Sequence, residues 1–155
     1  MSHTCVSSME SDFEKFFSLE EAVSLLPFVK ETFREARKEL LALKDEVILY
    51  ERMQQLQESG EGIKNSEANT TQTVTELVKQ KWDTYENGFY KWVGVLTEKG
   101  IQVRDFRKGL IDFPYRTHDG SILLLCWHWG EEGIFYFHDL YEGFNGRQPI
   151  SLLPE

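Results

Sequence analysis

Cysteine is scarce in this chain of 155 residues, which contains only Cys5 and Cys126. The two differ in their surroundings, because Cys5 lies in a polar segment whereas Cys126 ends a run of isoleucine and leucine. Two such cysteines do not make the disulfide framework of a small secreted domain, so a reducing compartment is predicted. The sequence also lacks the paired-cysteine and His-Glu-x-x-His patterns of common zinc sites.

Positive charge is in deficit, with 17 lysines and arginines against 26 aspartates and glutamates and a net charge of -9. Nucleic acids and anionic membranes attract positive proteins, so this balance disfavours both as partners. The one dense basic stretch, residues 99–108, offers only Phe106 for stacking on a base. We therefore predict no nucleic-acid binding.

Long apolar runs are absent as well. The longest, Ile122–Trp127, falls far short of the roughly 20 residues that span a bilayer. Residues 1–17 show no basic start followed by an apolar stretch, so they do not resemble a secretory signal. These absences predict a cytoplasmic protein that does not associate with membranes.

The chain does have the apolar spacing of two long helices. Ser18 and Glu21 have the spacing of a capping box, so the first helix is predicted to begin there. Because proline lacks the donor that a helix interior needs, we predict a break or kink at Pro27 and a new helix with Pro27 in its first turn. Apolar residues then recur in steps of four and three, and this first seam is Val29, Phe33, Ala36, Leu40, Leu43, Val47 and Tyr50.

A second helix is predicted after residues 58–70, a linker rich in glycine, serine and asparagine. Gly100 fits a C-cap for this helix. Two helices of about 30 residues joined by a short polar loop predict an antiparallel hairpin about 45 Å long. The aromatic residues of the second helix are assigned to core or sheet packing rather than to a ligand site. The second seam is Val78, Trp82, Tyr85, Phe89, Trp92 and Leu96.

After Gly100 the apolar period changes from 3.6 to 2, which predicts short strands. Residues 116–120 and 130–133 have the composition of hairpin connections, so the strands are expected to pair as an antiparallel meander. The predicted strands lie around Ile101 and Val103, and at residues 110–113, 122–129 and 134–138.

These elements predict an α+β fold, in which a long antiparallel helical hairpin packs on one face of a small antiparallel sheet of three to four strands. Hydrophobic residues make up 41% of the chain, enough for one substantial core. We predict a flexible leader at residues 1–16 and a single domain at 17–155. Within it, residues 17–99 form the hairpin and 100–155 the meander and tail.

Alternation along the strands divides the predicted sheet into two unlike faces. One face is apolar and should lie against the helices. It carries Ile111, Phe113, Leu123, Leu125, Trp127, Phe135 and Phe137. The other face mixes apolar with titratable side chains, and it carries Leu110, Asp112, Leu124, Cys126, His128, Tyr136 and His138.

The mixed face admits three interpretations. Asp112, Cys126, His128 and His138 are zinc-ligand types, and cross-strand neighbours lie about 5 Å apart. The sequence requires no cofactor, but zinc or another divalent metal is the candidate. A Cys–His pair could instead supply a nucleophile. The structural alternative is that this face meets another subunit or the C-terminal tail, where its polar groups are hydrogen bonded. Asp112 beside His138 would orient the imidazole and raise its pKa in either case.

The tail contains Gly143, Gly146 and Arg147, a spacing that indicates a tight loop. The guanidinium of Arg147 could hold an anion through its fork of donors. The alternative is an ion pair with a local acid such as Glu131 or Asp139. Glu131 and Arg147 are therefore candidate ligand-binding residues.

Several short motifs occur in order along the chain. They are FSLEEAVSLLPFV, GIQVRDFRKGLIDFP, HDG, LLLCWHWGEEGI and FHDLYEGFNGRQPI. Together they resemble a bacterial family catalogued as domain of unknown function 2203, over about Phe17 to Ile150. Its members are small, largely uncharacterised proteins with a helical N-terminal part, so the resemblance implies no reaction.

The resemblance does imply which polar residues to favour. His128 departs from the family pattern, in which a polar or basic residue other than histidine is usual. A zinc site common to the family should therefore not need His128. Arg104 and Phe137 also depart, since they replace a usual lysine and a usual tryptophan. The matching residues to favour are Asp112, Cys126, Glu131, His138 and Arg147.

The two seams and the half-apolar second sheet face predict a non-enzymatic, self-associating interaction or scaffold protein of the bacterial cytoplasm. We expect a homo-oligomer, a dimer, whose further protein partner the sequence does not identify. The alternative is a small metal- or thiol-dependent enzyme that uses Asp112, Cys126 and His138.

Overall fold

A computed structural model of the chain describes residues 12–60 and 68–155. Cys5, the first 11 residues of the predicted leader and most of the predicted linker lie outside the described residues. The remaining chain forms two helices and five antiparallel strands, which confirms the α+β prediction and adds one strand to the expected maximum. The elements are α1 (Leu19–Glu58), α2 (Ala68–Thr97), β1 (Gln102–Asp105), β2 (Leu110–Arg116), β3 (Ile122–His128), β4 (Tyr136–His138) and β5 (Gln148–Pro149).

Helix α1 begins with the predicted capping box. The backbone N–H of Glu21 donates to Ser18 Oγ, and the backbone N–H of Ser18 donates to Glu21 Oε1. The predicted break and new helix at Pro27 are wrong, because α1 continues through it, and the kink stays a prediction. Proline removes the donor that would pair with the carbonyl of Val23, but both residues are exposed, so water can satisfy that carbonyl.

The chain divides into two compact units, which we describe separately. One unit is Arg34–Trp92, and the other contains the chain up to Phe33 together with Val93–Glu155. The assignment of residues 17–155 to a single domain stays a prediction.

The Arg34–Trp92 unit, here the helical unit, is an antiparallel pair of helix segments. The two helices run in opposite directions, since Glu39 binds Lys91, Glu46 binds Lys81 and Gln54 binds Thr75. The first seam is buried here at Ala36, Leu40 and Val47. The aromatic residues of the second seam are only half-buried in this unit, because one neighbouring helix covers a single side of them. They are Trp82, Tyr85, Phe89 and Trp92.

The other unit, here the sheet unit, contains a meander in which the strands follow chain order from β1 to β5. Ile111 pairs with Trp127, and Leu125 pairs with both Phe113 and Phe137, so these residues share one buried apolar face. The beginning of α1 packs on that face, where the Phe33 ring lies 5.9 Å from the Trp127 ring. Gly100 ends α2 with a φ of 86°, which confirms the predicted C-cap.

Three details of the sheet differ from the prediction. Phe135 does not join the apolar face, because β4 begins at Tyr136, two residues later than predicted, and the Phe135 side chain is 50% exposed. Strand β2 continues through Pro114 to Arg116, although proline has no backbone N–H to donate. Pro114 lies beyond the last residue of β2 that pairs with β1, so no β1 hydrogen bond is lost there. Strand β5 was missed, because two residues that include Pro149 carry no alternation.

Among the described residues, no helix combines the length and the apolar composition that crossing a membrane requires.

Candidate functional site

The register of the sheet brings three titratable side chains together on its mixed face. Asp112 on β2 pairs directly with Cys126 on β3, and His138 on β4 pairs with Leu124 on β3. One ligand atom from each of Asp112, Cys126 and His138 lies within 4.8 Å of the others. These residues, here the polar cluster, are the three that the sequence analysis proposed as catalytic candidates.

The polar cluster is buried, since Asp112 and Cys126 are 0% exposed and His138 is 3% exposed. The segment after β4 forms the opposite wall of a cleft of about 270 Å³ beside the cluster, with Leu140, Tyr141, Gly143 and Phe144 among its lining residues. The C-terminal tail therefore lies against the mixed face, as one of the three interpretations expected.

Asp112 accepts hydrogen bonds from two cationic groups. Arg104 Nε donates to Oδ2 at 2.6 Å, and His138 Nε2 lies 3.0 Å from Oδ1. Arg104 belongs to β1, at the point where the register with β2 shifts, and its side chain is 43% exposed at the edge of the cleft. The sequence analysis missed Arg104 as a site residue, because strand alternation alone does not predict the register shift at which it lies.

His138 donates from both ring nitrogens. Nδ1 lies 2.7 Å from the carbonyl oxygen of Asp139, and Nε2 faces the carboxylate of Asp112, so both neighbours are acceptors. Burial lowers the pKa of His138, but the hydrogen bond to Asp112, the charge of Asp112 and the Asp139 carbonyl together raise that pKa above its ordinary value. The two acceptors beside the ring nitrogens therefore favour the protonated form of His138.

Cys126 is held as a thiol. Burial, followed by the charge of Asp112, raises the pKa of the Cys126 thiol to about 12. A nucleophilic cysteine needs a thiolate near neutral pH, so the raised pKa of Cys126 disfavours it as a nucleophile.

His128 shares the mixed face but lies outside the polar cluster. It pairs with Leu110 at the end of β3, about 7 Å along the strand from Cys126. Its ring instead packs against Phe144, with 5.6 Å between the ring centroids. The four-residue metal set of the sequence analysis is thereby reduced to three.

Glu131 and Arg147 form an ion pair, which the sequence analysis gave as the alternative to anion binding by Arg147. Arg147 Nη2 lies 2.6 Å from one Glu131 oxygen and 2.8 Å from the other. The guanidinium also stacks over Tyr136 and Phe144, at 4.1 and 4.7 Å from their ring centroids. Asp139, the other acid considered, accepts the backbone N–H groups of Tyr141 and Glu142 instead.

The helical unit carries a second candidate feature, an apolar stripe on the solvent side of α1. Its residues are between 42% and 57% exposed. Residues spaced by seven and eight lie on one side of a helix, so most of these side chains form one surface. This outer stripe consists of Leu41, Ile48, Leu49, Met53 and Leu56.

Comparison with known proteins gives one match. A family model described as "Uncharacterized conserved protein (DUF2203)" matches residues 15–150. No curated protein matches the chain, and no solved structure does. The family description names no reaction, ligand or partner, so the two candidate features are interpreted from their own geometry.

Proposed function

The chain belongs to the DUF2203 family, and we propose that it is a non-enzymatic interaction protein that forms a homodimer through the outer stripe of α1. The observation that carries the proposal is that α1 is apolar on two sides in the helical unit. The first seam is buried against α2, and the outer stripe faces solvent. A helix on the surface of a monomer needs only one apolar side, so the second side favours a partner.

The spacing of the outer stripe supports a second copy of the chain as that partner. The midpoint of the stripe lies between Ile48 and Leu49, and Leu41 and Leu56 lie equally far on either side. In a two-fold interface, residue i contacts residue j and residue j contacts residue i. Two antiparallel α1 helices would therefore place Leu41 against Leu56 of the second copy, with Ile48 and Leu49 at the axis.

The charges within the stripe follow the same symmetry. Asp45 and Arg52 also lie at equal distances from the midpoint, and their helical positions fall between those of Leu41 and Leu56. An antiparallel pair would bring Asp45 of each copy opposite Arg52 of the other. Such charges fix register and orientation more than they add affinity.

Light scattering after size exclusion tests the dimer. The wild-type protein is expected to have twice the chain mass of 18.2 kDa. The double variant Ile48→Asp/Leu49→Asp is expected to have the mass of one chain, because a dimer of it would place four carboxylates at the two-fold axis. Tyr90→Asp is the matched control, since Tyr90 is exposed on α2 outside the stripe. A monomeric wild type at micromolar concentrations would refute self-association.

The second candidate function is a small metal- or thiol-dependent enzyme that uses Asp112, Cys126 and His138. The cleft beside these buried residues favours it. The raised pKa of Cys126 opposes the thiol version. Alkylation in the native state tests that version: rapid modification of Cys126 would support a nucleophile, and an inert thiol with no copurifying metal would eliminate the enzyme.

The compartment belongs to the same proposal. We place the protein in the bacterial cytoplasm, where a reducing environment keeps a free thiol such as Cys126 unpaired. Fractionation of a bacterial host that carries the gene would test this, and recovery in the membrane or extracellular fraction would contradict it.

A further inference from the structure

We propose that Asp112, Cys126 and His138 form a zinc site with three protein ligands and one position open to the cleft. The proposal is independent of dimerisation through α1, and it gives the second candidate function its metal.

The donor atoms are close to coordination geometry. Asp112, Cys126 and His138 supply one oxygen, one sulfur and one nitrogen that all lie within 4.8 Å of one another, and Oδ1 of Asp112 is 3.0 Å from Nε2 of His138. Zinc binds such atoms at about 2.0–2.3 Å, which places tetrahedral ligands roughly 3.3–3.8 Å apart. Side-chain movements of about 1 Å would therefore close the site around an ion.

The outward-facing atoms of two ligands are already held. Arg104 Nε binds the second oxygen of Asp112, and the carbonyl of Asp139 accepts from Nδ1 of His138. Outer hydrogen bonds of this kind orient ligands in metal sites and fix the histidine tautomer. They leave Oδ1 of Asp112 and Nε2 of His138 as the atoms that turn towards the ion.

Charge also favours a divalent ion. The cluster contains a fully buried carboxylate, Asp112, and zinc binds cysteine as a thiolate and histidine as a neutral imidazole. Binding would therefore release protons from the ligands, which offsets part of the charge that the ion brings into a buried site.

The donor set selects zinc over magnesium or calcium. The latter two prefer oxygen ligands, whereas Cys126 and His138 supply the sulfur and nitrogen that zinc accepts. His128 cannot complete the shell where it lies, since its ring packs against Phe144. The fourth position would face the cleft, where water or a small ligand binds.

The first experiment is a metal titration of the untagged full-length protein carrying Cys5→Ser, so that Cys126 is the only thiol. After treatment with chelator and its removal, we expect one zinc per chain by elemental analysis. We also expect cobalt to give a thiolate-to-metal charge-transfer absorption. If this folded protein took up no zinc, or bound cobalt without that absorption, the proposal would be overturned.

Variants locate the bound ion. In the same background, Cys126→Ser and His138→Gln are expected to abolish near-stoichiometric zinc, and Arg104→Gln to weaken zinc binding about 10- to 100-fold through loss of outer support. His128→Gln is the matched control from the same face and should bind normally. Full zinc binding by both ligand variants would overturn the assignment. If those variants fail to fold, the cobalt spectrum of the Cys5→Ser protein still shows whether Cys126 binds the metal.

The two proposals fail separately. The double variant Ile48→Asp/Leu49→Asp changes the helical unit and leaves the polar cluster intact. Zinc binding by a monomeric form of this variant would support both proposals, whereas a wild-type dimer without zinc uptake would overturn the metal site alone.

Discussion

His138 and Asp112 are hydrogen bonded across a strand that lies between them. Nε2 of His138 on β4 is 3.0 Å from Oδ1 of Asp112 on β2, and β3 separates the two strands in the sheet. The bond spans the mixed face above Cys126 on β3, and Cys126 is the residue that pairs with Asp112. One buried ionic contact therefore ties three strands together, and its loss should affect the stability of the sheet unit.

Removing the charge of Asp112 should destabilise the protein. Asp112→Asn leaves Arg104 and His138 without their shared anion, and breaking a buried ion pair on one side costs roughly 3–5 kcal/mol. We expect a lower value, about 2–3 kcal/mol, because Arg104 is 43% exposed and can be solvated. Urea unfolding in the presence of chelator measures the difference. Asp83→Asn, on the exposed side of α2, is the control. Equal stability of both variants would show that the pair contributes nothing.

Stability should also decrease as the pH rises past the ordinary pKa of histidine. The pKa of His138 is higher in the folded state than the value of about 6.5 expected when unfolded. The imidazolium therefore contributes its full stabilisation below about pH 6.5, and this contribution is lost as the pH rises from there through the folded pKa.

Urea unfolding between pH 5.5 and about pH 8 tests this dependence. Cys126 adds little slope below about pH 7.5, because its thiol is protonated in the folded state and mostly protonated in the unfolded state. His138→Gln should remove the part of the slope above about pH 6.5. An unchanged pH profile in this variant would contradict the assignment.

Local signals in the sequence were enough to predict much of the fold. The capping box of Ser18 and Glu21, the glycine at position 100 and the two seams depend on residues close in sequence, so they were predicted correctly. The grouping of Asp112, Cys126 and His138 followed from strand alternation, because the β2–β3 connection preserves register.

The features that were missed depend on distant parts of the chain or on solvent. The continuity of α1 through Pro27 depends on water reaching the carbonyl of Val23. Strand β5 exists because the tail returns to pair with β4, which two residues cannot signal. The contribution of Arg104 to the polar cluster depends on the irregular β1–β2 register, which alternation alone does not predict.

Two glycines of the sheet unit should respond oppositely to alanine. Gly100 has a φ of 86°, and a Cβ there would lie 2.7 Å from Lys15 Cβ, so Gly100→Ala should destabilise the protein by more than about 1 kcal/mol. Gly94 lies inside α2 with no atom within 4 Å of an added Cβ. Gly94→Ala should therefore stabilise by about 0.5–1 kcal/mol through helix propensity. Thermal unfolding compares them, and equal shifts would contradict the backbone argument.

A charge reversal at Asp45 and Arg52 would separate specific dimerisation from general stickiness of the outer stripe. In the proposed antiparallel pair, Asp45→Arg places an arginine at position 45 of each copy opposite Arg52 of the other copy. This repulsion occurs on both sides of the two-fold axis, so we expect the dimer to weaken at least tenfold. Arg52→Asp should weaken it similarly by opposing two carboxylates. The double variant restores opposite charges across the interface and should recover most of the affinity, as measured by sedimentation equilibrium at low and high salt. A double variant as weak as the single variants would show that these residues do not face each other, and the two-fold pairing would have to be abandoned.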